Sequence, residues 1–413
     1  MKRTTLAIAL YSIFSATPGM ADALEDRVQR LEQMLQRVQT QVDEQGSIIA
    51  RQDQTIQRQG KTIEQQADVI DEQRKQLSAP REGGDGGWFQ SMEMSGVVEV
   101  EANHTDPYEG PNENDLVLAT VEVGISAQIN DWTSAEIILL HEEDDTDLEV
   151  DVGTITIADP DAPWFVTTGQ FYLPFGAFES NLISDPLTLE IAETRESALQ
   201  AGFDMGRFNG SLYAFNGDNK KNNGRKNRID NWGANLNYVH EGDNMNFGAG
   251  IGYINDIGDS DTIQDRIANL ANLGSNDIQD HVPGWTINAI AETGPFTLIG
   301  EYVRATDDFE PGELPTFNGS GSGAQPKAWN AEAGYGFSFM GRDSTIAAAY
   351  QGSKEAQDLD LPKRRTLLGW SINIMENTAL SFEWAHDKDY STSDGGTGED
   401  ADTITTQLAV EFP

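Results

Sequence analysis

Residues 117–129 read VLATVEVGISAQI, and their alternation decides the fold. Val117, Ala119, Val121, Val123, Ile125, Ala127 and Ile129 are apolar, and Leu118, Thr120, Glu122, Gly124, Ser126 and Gln128 lie between them. Successive side chains of a strand point to opposite faces, so this segment has one apolar and one mostly polar face. Its length suits a tilted strand that crosses a bilayer.

Working outward, similar segments recur near 90–103, 116–129, 133–141, 148–158, 163–173, 194–204, 207–216, 231–240, 245–254, 284–292, 296–305, 327–339, 343–352, 364–374, 378–386 and 402–412. Seven connections are short and rich in turn residues, at 130–131, 160–161, 205–206, 241–244, 293–295, 340–342 and 376–377. They alternate with eight mostly longer loops, near 104–115, 142–147, 174–193, 217–230, 255–283, 306–326, 353–363 and 387–401. Short turns on one rim and long loops on the other predict an all-β transmembrane β-barrel of about sixteen antiparallel strands over 88–413, with both termini on the short-turn side. All eight tryptophans lie at or after position 88, several near strand ends, where an interfacial girdle would place them. A soluble β-sandwich or solenoid is the competing architecture.

Composition agrees with a strand-built membrane protein. The 413 residues carry 27 Lys+Arg against 68 Asp+Glu, a net charge of −41, with a mean hydropathy of −0.48. A barrel whose strands alternate reads as hydrophilic on average. The acidity excludes a nucleic-acid binder. Zero cysteine excludes disulfide scaffolds, thiolate zinc sites and an acylated lipoprotein.

Three segments precede the barrel. Lys2, Arg3 and the apolar stretch 6–14, followed by Pro18-Gly19-Met20-Ala21, predict a signal peptide over 1–21, cleaved after Ala21, with Ala23 the less favoured site. Residues 22–79 carry heptads and predict an α-helical coiled coil in the periplasm. One core position is filled by Val28, Leu35, Val42, Ile49, Ile56, Ile63, Ile70 and Leu77. The other begins with Leu24, Leu31 and Val38 and continues as Gln45, Gln52, Gln59, Gln66 and Gln73. A single helix cannot bury this seam, and glutamines around a common axis can bond one another, so the expectation is a homotrimer. Residues 80–87, PREGGDGG, read as a linker.

The stretch GQFYLPFGAFESNLISDPLTL (169–189) and the following ETRESA (193–198) resemble the third-loop region of the LbtU-type siderophore porins. The order of parts also resembles that family. The resemblance implies an outer-membrane channel that takes up ferric siderophore without TonB.

Candidate functional residues follow. The barrel carries 55 acidic against 16 basic residues, a balance of −39, which would concentrate cations in a lumen. Loop 174–193 is the segment expected to fold inward, with Glu179, Asp185, Glu190, Glu193 and the adjoining Arg195 at a constriction. Two basic clusters, Lys220, Lys221, Arg225, Lys226 and Arg228, and Lys363, Arg364 and Arg365, are expected on the outer rim. There they would meet an anionic iron chelate or lipopolysaccharide phosphates. The acidic run 142–147 offers carboxylates to calcium but lacks the glycine of a dedicated loop. His104, His141, His240, His281 and His386 are scattered, and no HExxH, GxSxG or P-loop occurs. No catalysis, cofactor or metal is expected. The readings are a siderophore-uptake channel, a general or cation-preferring diffusion porin, a structural tether of the envelope and, last, an outer-membrane enzyme, for which no nucleophile–base pair can be singled out.

Overall fold

A computed structural model describes residues 89–412 apart from 144–145, 222–228, 243, 271–276 and 318. The signal peptide, the coiled coil, the linker and Trp88 lie outside the described residues.

The barrel wall is built from β1 (Ser91–Asp106), β2 (Glu113–Asn130), β3 (Thr133–Glu142), β4 (Thr146–Ala158), β5 (Trp164–Tyr172), β6 (Arg195–Asp204), β7 (Phe208–Phe215), β9 (Asn231–His240), β10 (Asn246–Ile254), β12 (Gly284–Thr293), β13 (Phe296–Ala305), β14 (Lys327–Phe339), β15 (Arg342–Lys354), β16 (Arg364–Met375), β17 (Thr378–Lys388) and β18 (Asp400–Phe412). Each wall strand pairs with its chain neighbours, and β1 closes the ring on β18. All these pairings are antiparallel, so every segment anticipated from the alternation is a wall strand. Two short strands outside the wall, β8 (Lys220–Lys221) and β11 (Asp277–Ile278), form a separate parallel pair between long loops.

Closure satisfies the ladder groups that an open sheet would leave bare. At the seam Gly96 lies opposite Phe412, whose ring covers the place a Cβ would occupy. A larger residue at Gly96 would push this aromatic off the joint.

The outward face is apolar. Ile137, Leu199, Leu212, Ile251, Leu298, Ile346 and Leu368 are all exposed there. Leaving such a belt in water would cost about 25 cal/mol per Å², whereas hydrocarbon accepts it. Aromatic pairs bound the belt at both rims. Toward the long loops stand Trp232–Tyr253, Trp285–Tyr302 and Trp329–Tyr350, each with ring centroids 5.2 Å apart. Toward the short turns stand Trp132–Trp164 at 6.2 Å, and Phe208–Tyr238 and Phe296–Tyr335 at 5.1 Å. From Trp232 to Tyr238, and again from Trp329 to Tyr335, the rows are six residues apart, about 20 Å along a strand. That is the order of height of a bilayer-spanning band.

The long loops build an apolar core at their own end. Helix α1 (Leu187–Ala192) and helix α2 (Asp261–Leu270) bring Leu187, Ile191, Ile263 and Ile267 together with Phe309, Leu314 and Leu359. Arg266 grips Asp358 with two hydrogen bonds of 3.0 and 2.6 Å, tying α2 to the loop after β15.

Candidate functional site: the inward-folded loop

The segment between β5 and β6 leaves the wall because Pro174 has no N–H to continue a ladder. Gly176 (φ 127°) and Phe178 (φ 54°) then turn the chain back with left-handed backbone. Phe175 is buried against Gly252 and Gly284, where a Cβ would approach its ring to 3.2 Å. Leu182 occupies the equivalent space at Gly369, and Asn181 lies over Gly334. The loop is therefore seated on glycines of four wall strands.

Carboxylates of the inner wall hold its backbone. Glu301 of β13 accepts from the amides of Ala177 (2.8 Å) and Phe178 (3.1 Å) and from the Thr188 hydroxyl (2.9 Å). Glu332 of β14 accepts from the Asn181 amide and side chain, both at 2.7 Å, and from Ser180 Oγ at 2.9 Å. Glu383 of β17 accepts from the amides of Ile183 (2.7 Å) and Ser184 (3.2 Å) and from the Ser184 hydroxyl. On the return, Leu187 N donates to Gln351 Oε1 of β15 at 3.0 Å. Glu301, Glu332 and Glu383 are only 6%, 4% and 3% exposed, so each bond acts where water competes little. The segment thus runs along the inner wall from β13 to β17 and back.

Asp185 stands at the far tip of this arc, its side chain accessible to water yet enclosed by the surrounding wall. Burial within the barrel, then the negative charges of Glu142 and Glu101, push its carboxyl above the usual range, against the opposing pull of Arg365. Glu193, at the end of the loop, is pushed up to about 8 by burial and then by Asp261, Asp185 and Glu190. Asp261, at the start of α2, is likewise pushed up to about 6, first by burial. Glu190 acts electrostatically on both Glu193 and Arg365. Asp185, Glu190 and Glu193 therefore share one electrostatic neighbourhood. Glu179 is exposed on the loop, between the residues held by Glu301 and Glu332.

Arg195 is placed at the outer end of β6, where Nη1 meets Glu149 at 2.6 Å and Asp151 at 2.8 Å. Tyr172 donates to the same Asp151 oxygen at 2.9 Å. The inward-facing cation whose charge acts on Asp185 is Arg365 of β16, held by Asp387 through two bonds of 2.9 Å. The basic cluster 363–365 is divided by the strand. Lys363 lies 5.7 Å above the Tyr390 ring and 3.4 Å from Asp394, Arg364 faces outward, and Arg365 faces inward. Lys221 pairs with Asp280 at 3.1 Å, while Arg225, Lys226, Arg228 and the Lys220 side chain lie outside the described residues. Among the described residues no group of three or more His, Asp or Glu side chains is arranged to hold a metal.

Sequence reasoning singled out the loop but not its anchors. The signal was present: Glu301, Glu332 and Glu383 each sit mid-strand at an inward position, in GEYV, AEAG and FEWA. Their bulk charge was counted as lumen lining, whereas the fold spends it on amides.

No protein-family profile matches the chain. A UPF0422 protein of Legionella pneumophila is 29% identical over 360 residues, covering 78% of this chain and 66% of the relative. A UPF0422 protein of Coxiella burnetii is 26% identical over 314 residues, covering 74% and 66%. The chain thus spans just under two thirds of the length of these relatives. Among solved structures, the outer-membrane channel DcaP of Acinetobacter baumannii superposes with a TM-score of 0.55 at 12% identity, over 80% of this chain and 99% of that one. The anion-selective porin of Comamonas acidovorans gives 0.55 at 14%, over 78% and 99%. The barrel therefore has the fold of outer-membrane porins.

Proposed function

We propose that this chain is a porin-like channel of the bacterial outer membrane whose filter is the segment between β5 and β6. The observation that carries this is the position of Asp185, at the tip of a segment held to the inner wall by Glu301, Glu332 and Glu383. The charges of Glu142 and Glu101 act on Asp185 and make its surroundings acidic, and Arg365 acts against them. Fixed charge at a constriction sorts ions by sign, so small cations pass in preference to anions. Reversal potentials across planar bilayers under a salt gradient test this. Cation preference is expected, and anion preference would overturn the acidic-filter reading.

Ferric siderophore is the cargo we infer for it. One observation favours that cargo: the residues that resemble the siderophore porins, 169–198, are those that build the inward loop. TonB is not required in this reading, because solutes cross by diffusion past a loop. Uptake of labelled ferric siderophore by cells with and without the protein, in the presence and absence of TonB, is the test. Unchanged uptake on deletion leaves a general cation-preferring porin, and collapse without TonB refutes the diffusion route.

A further inference from the structure

Positive charge is distributed very unevenly around the wall. Strands β1–β5, β7, β9, β10, β12 and β18 contain no Lys or Arg. Strands β13 to β17 contain seven, and five of these stand at the long-loop rim on the outward face. Register establishes the face. Arg304 shares it with the exposed Leu298, Lys354 with the exposed Ile346 and Tyr350, and Arg364 with the exposed Leu368.

Arg304 lies directly opposite Lys327, and Lys327 directly opposite Lys354. Arg364, one row below, is opposite Gly352 and Lys388. The absence of a side chain at Gly352 leaves room for the Arg364 guanidinium, which lies 5.8 Å over the Trp329 ring. Like charges facing one another across adjacent strands repel. Lys354 and Arg304 both act on Lys327, and Glu355 is the carboxylate opposing them. Other acids at the edge are engaged: Glu355 is 3.6 Å from Lys354, Asp400 is 3.2 Å from Lys388, and Asp394 is 3.4 Å from Lys363. Among the described residues Arg304 hydrogen-bonds the neutral Gln325, at 3.1 Å. A row of three cations on three neighbouring strands, in a chain of net charge −41, calls for an anion outside the chain.

Height supplies the identity of that anion. Tyr302 and Trp329, each two residues inward from Arg304 and Lys327, belong to the aromatic row at the upper edge of the apolar belt. The cations therefore stand one step above the hydrocarbon boundary, at headgroup level, facing lipid rather than lumen. We propose that Arg304, Lys327, Lys354 and Arg364 form a binding site for the phosphate groups of an outer-leaflet glycolipid of the lipopolysaccharide type. The two guanidinium groups supply forked donors and the two ammonium groups supply point charges. The site rests on the barrel spanning the membrane but not on which solute the lumen passes.

The test uses the full chain in neutral detergent, titrated with bis-phosphorylated lipid A in mixed micelles, with binding read by native mass spectrometry. The triple variant Arg304→Gln/Lys327→Gln/Lys354→Gln is expected to weaken binding at least tenfold. Arg207→Gln/Arg342→Gln, at the opposite rim, is expected to leave it unchanged. Retention of the boiled-versus-unboiled gel shift shows that each variant is a closed barrel. If the triple variant fails that check, Lys327→Gln alone is expected to weaken binding about fivefold. Dephosphorylated lipid A should bind poorly, and inorganic phosphate should not compete at concentrations where the lipid saturates. Equal binding by the rim variants and the wild type, equal binding of the dephosphorylated lipid, or effective competition by free phosphate would each overturn the proposal.

Discussion

Asn181 meets Glu332 twice, its backbone amide and its side-chain amide each donating to the same carboxylate oxygen at 2.7 Å. The contact joins residues 151 positions apart and fixes the middle of the inward loop to the wall.

Replacing Glu332 with Leu leaves the Asn181 donors and the Ser180 hydroxyl without their acceptor. Each buried donor so stranded costs about 1–3 kcal/mol. The loop is expected to loosen while the barrel stays closed. Single-channel conductance should rise and protease cleavage within 173–194 should appear, with the heat-dependent gel shift retained. Unchanged conductance in a loop that stays protected would contradict the anchoring role. Glu332→Gln keeps an acceptor oxygen and should show a smaller effect.

The glycine seats give a steric test. Gly369→Val intrudes on the space of Leu182 and should displace the loop tip. Adding Leu182→Ala should restore the wild-type conductance, because the two residues compete for one volume. A double variant no closer to wild type than Gly369→Val would show that the seat has no such role.

Asp185→Asn removes the charge at the tip of the arc. Cation preference should fall, and the difference should be largest in dilute salt, where screening lengths are long. Arg365→Gln should act in the opposite sense, although it also strands Asp387. Equal selectivity of wild type and Asp185→Asn at all salt concentrations would remove Asp185 from the filter.

Acidity should modulate that filter. Burial and its acidic neighbours push Glu193 up to about 8 from the ordinary 4.5, and Asp185 is shifted the same way. Both acids therefore gain negative charge over a higher pH range than free carboxylates do. Cation preference should increase as pH rises from 6 to 9, and Glu193→Gln should flatten the upper part of the profile. For stability the sign is reversed. The folded chain holds the Glu193 proton above the pH at which the unfolded chain releases it, so this group favours folding at low pH. Its contribution declines from about pH 4.5 upward and is exhausted above 8. A selectivity profile with no slope between pH 6 and 9 would refute the assignment.

The glutamine layers of the heptads make a separate prediction. Deleting 22–79 should leave a barrel with an intact gel shift and convert trimers to monomers, as read by mass measurement in detergent. A dimeric full-length protein would defeat the argument from Gln45, Gln52, Gln59, Gln66 and Gln73.

Strand positions and faces were legible in the chain because they depend on local order. A period of two across Val121–Ala127 is enough to say which residues meet lipid. A bulge opposite Glu99–Glu101, by contrast, sets Val117 opposite the inward-facing Glu101, off the lipid face that unbroken alternation assigns it. The short turns and long loops assigned the rims on the same local basis. The inward course of loop 174–193 was an expectation, but its anchors were not visible. Glu301 binds residues 113 to 124 positions away, and Glu383 binds residues 199 to 200 positions away. Only closure of the ring brings those strands around to face β5 and β6, and only then do mid-strand glutamates find amides without partners. The same holds for Arg304, Lys327 and Lys354. They are scattered single cations along the chain, and they become a row because antiparallel register sets them opposite one another. Alternation is a property of one strand and can be read from it. Which carboxylate holds a loop, and which cations share a row, depends on pairing between distant strands, which no single segment records.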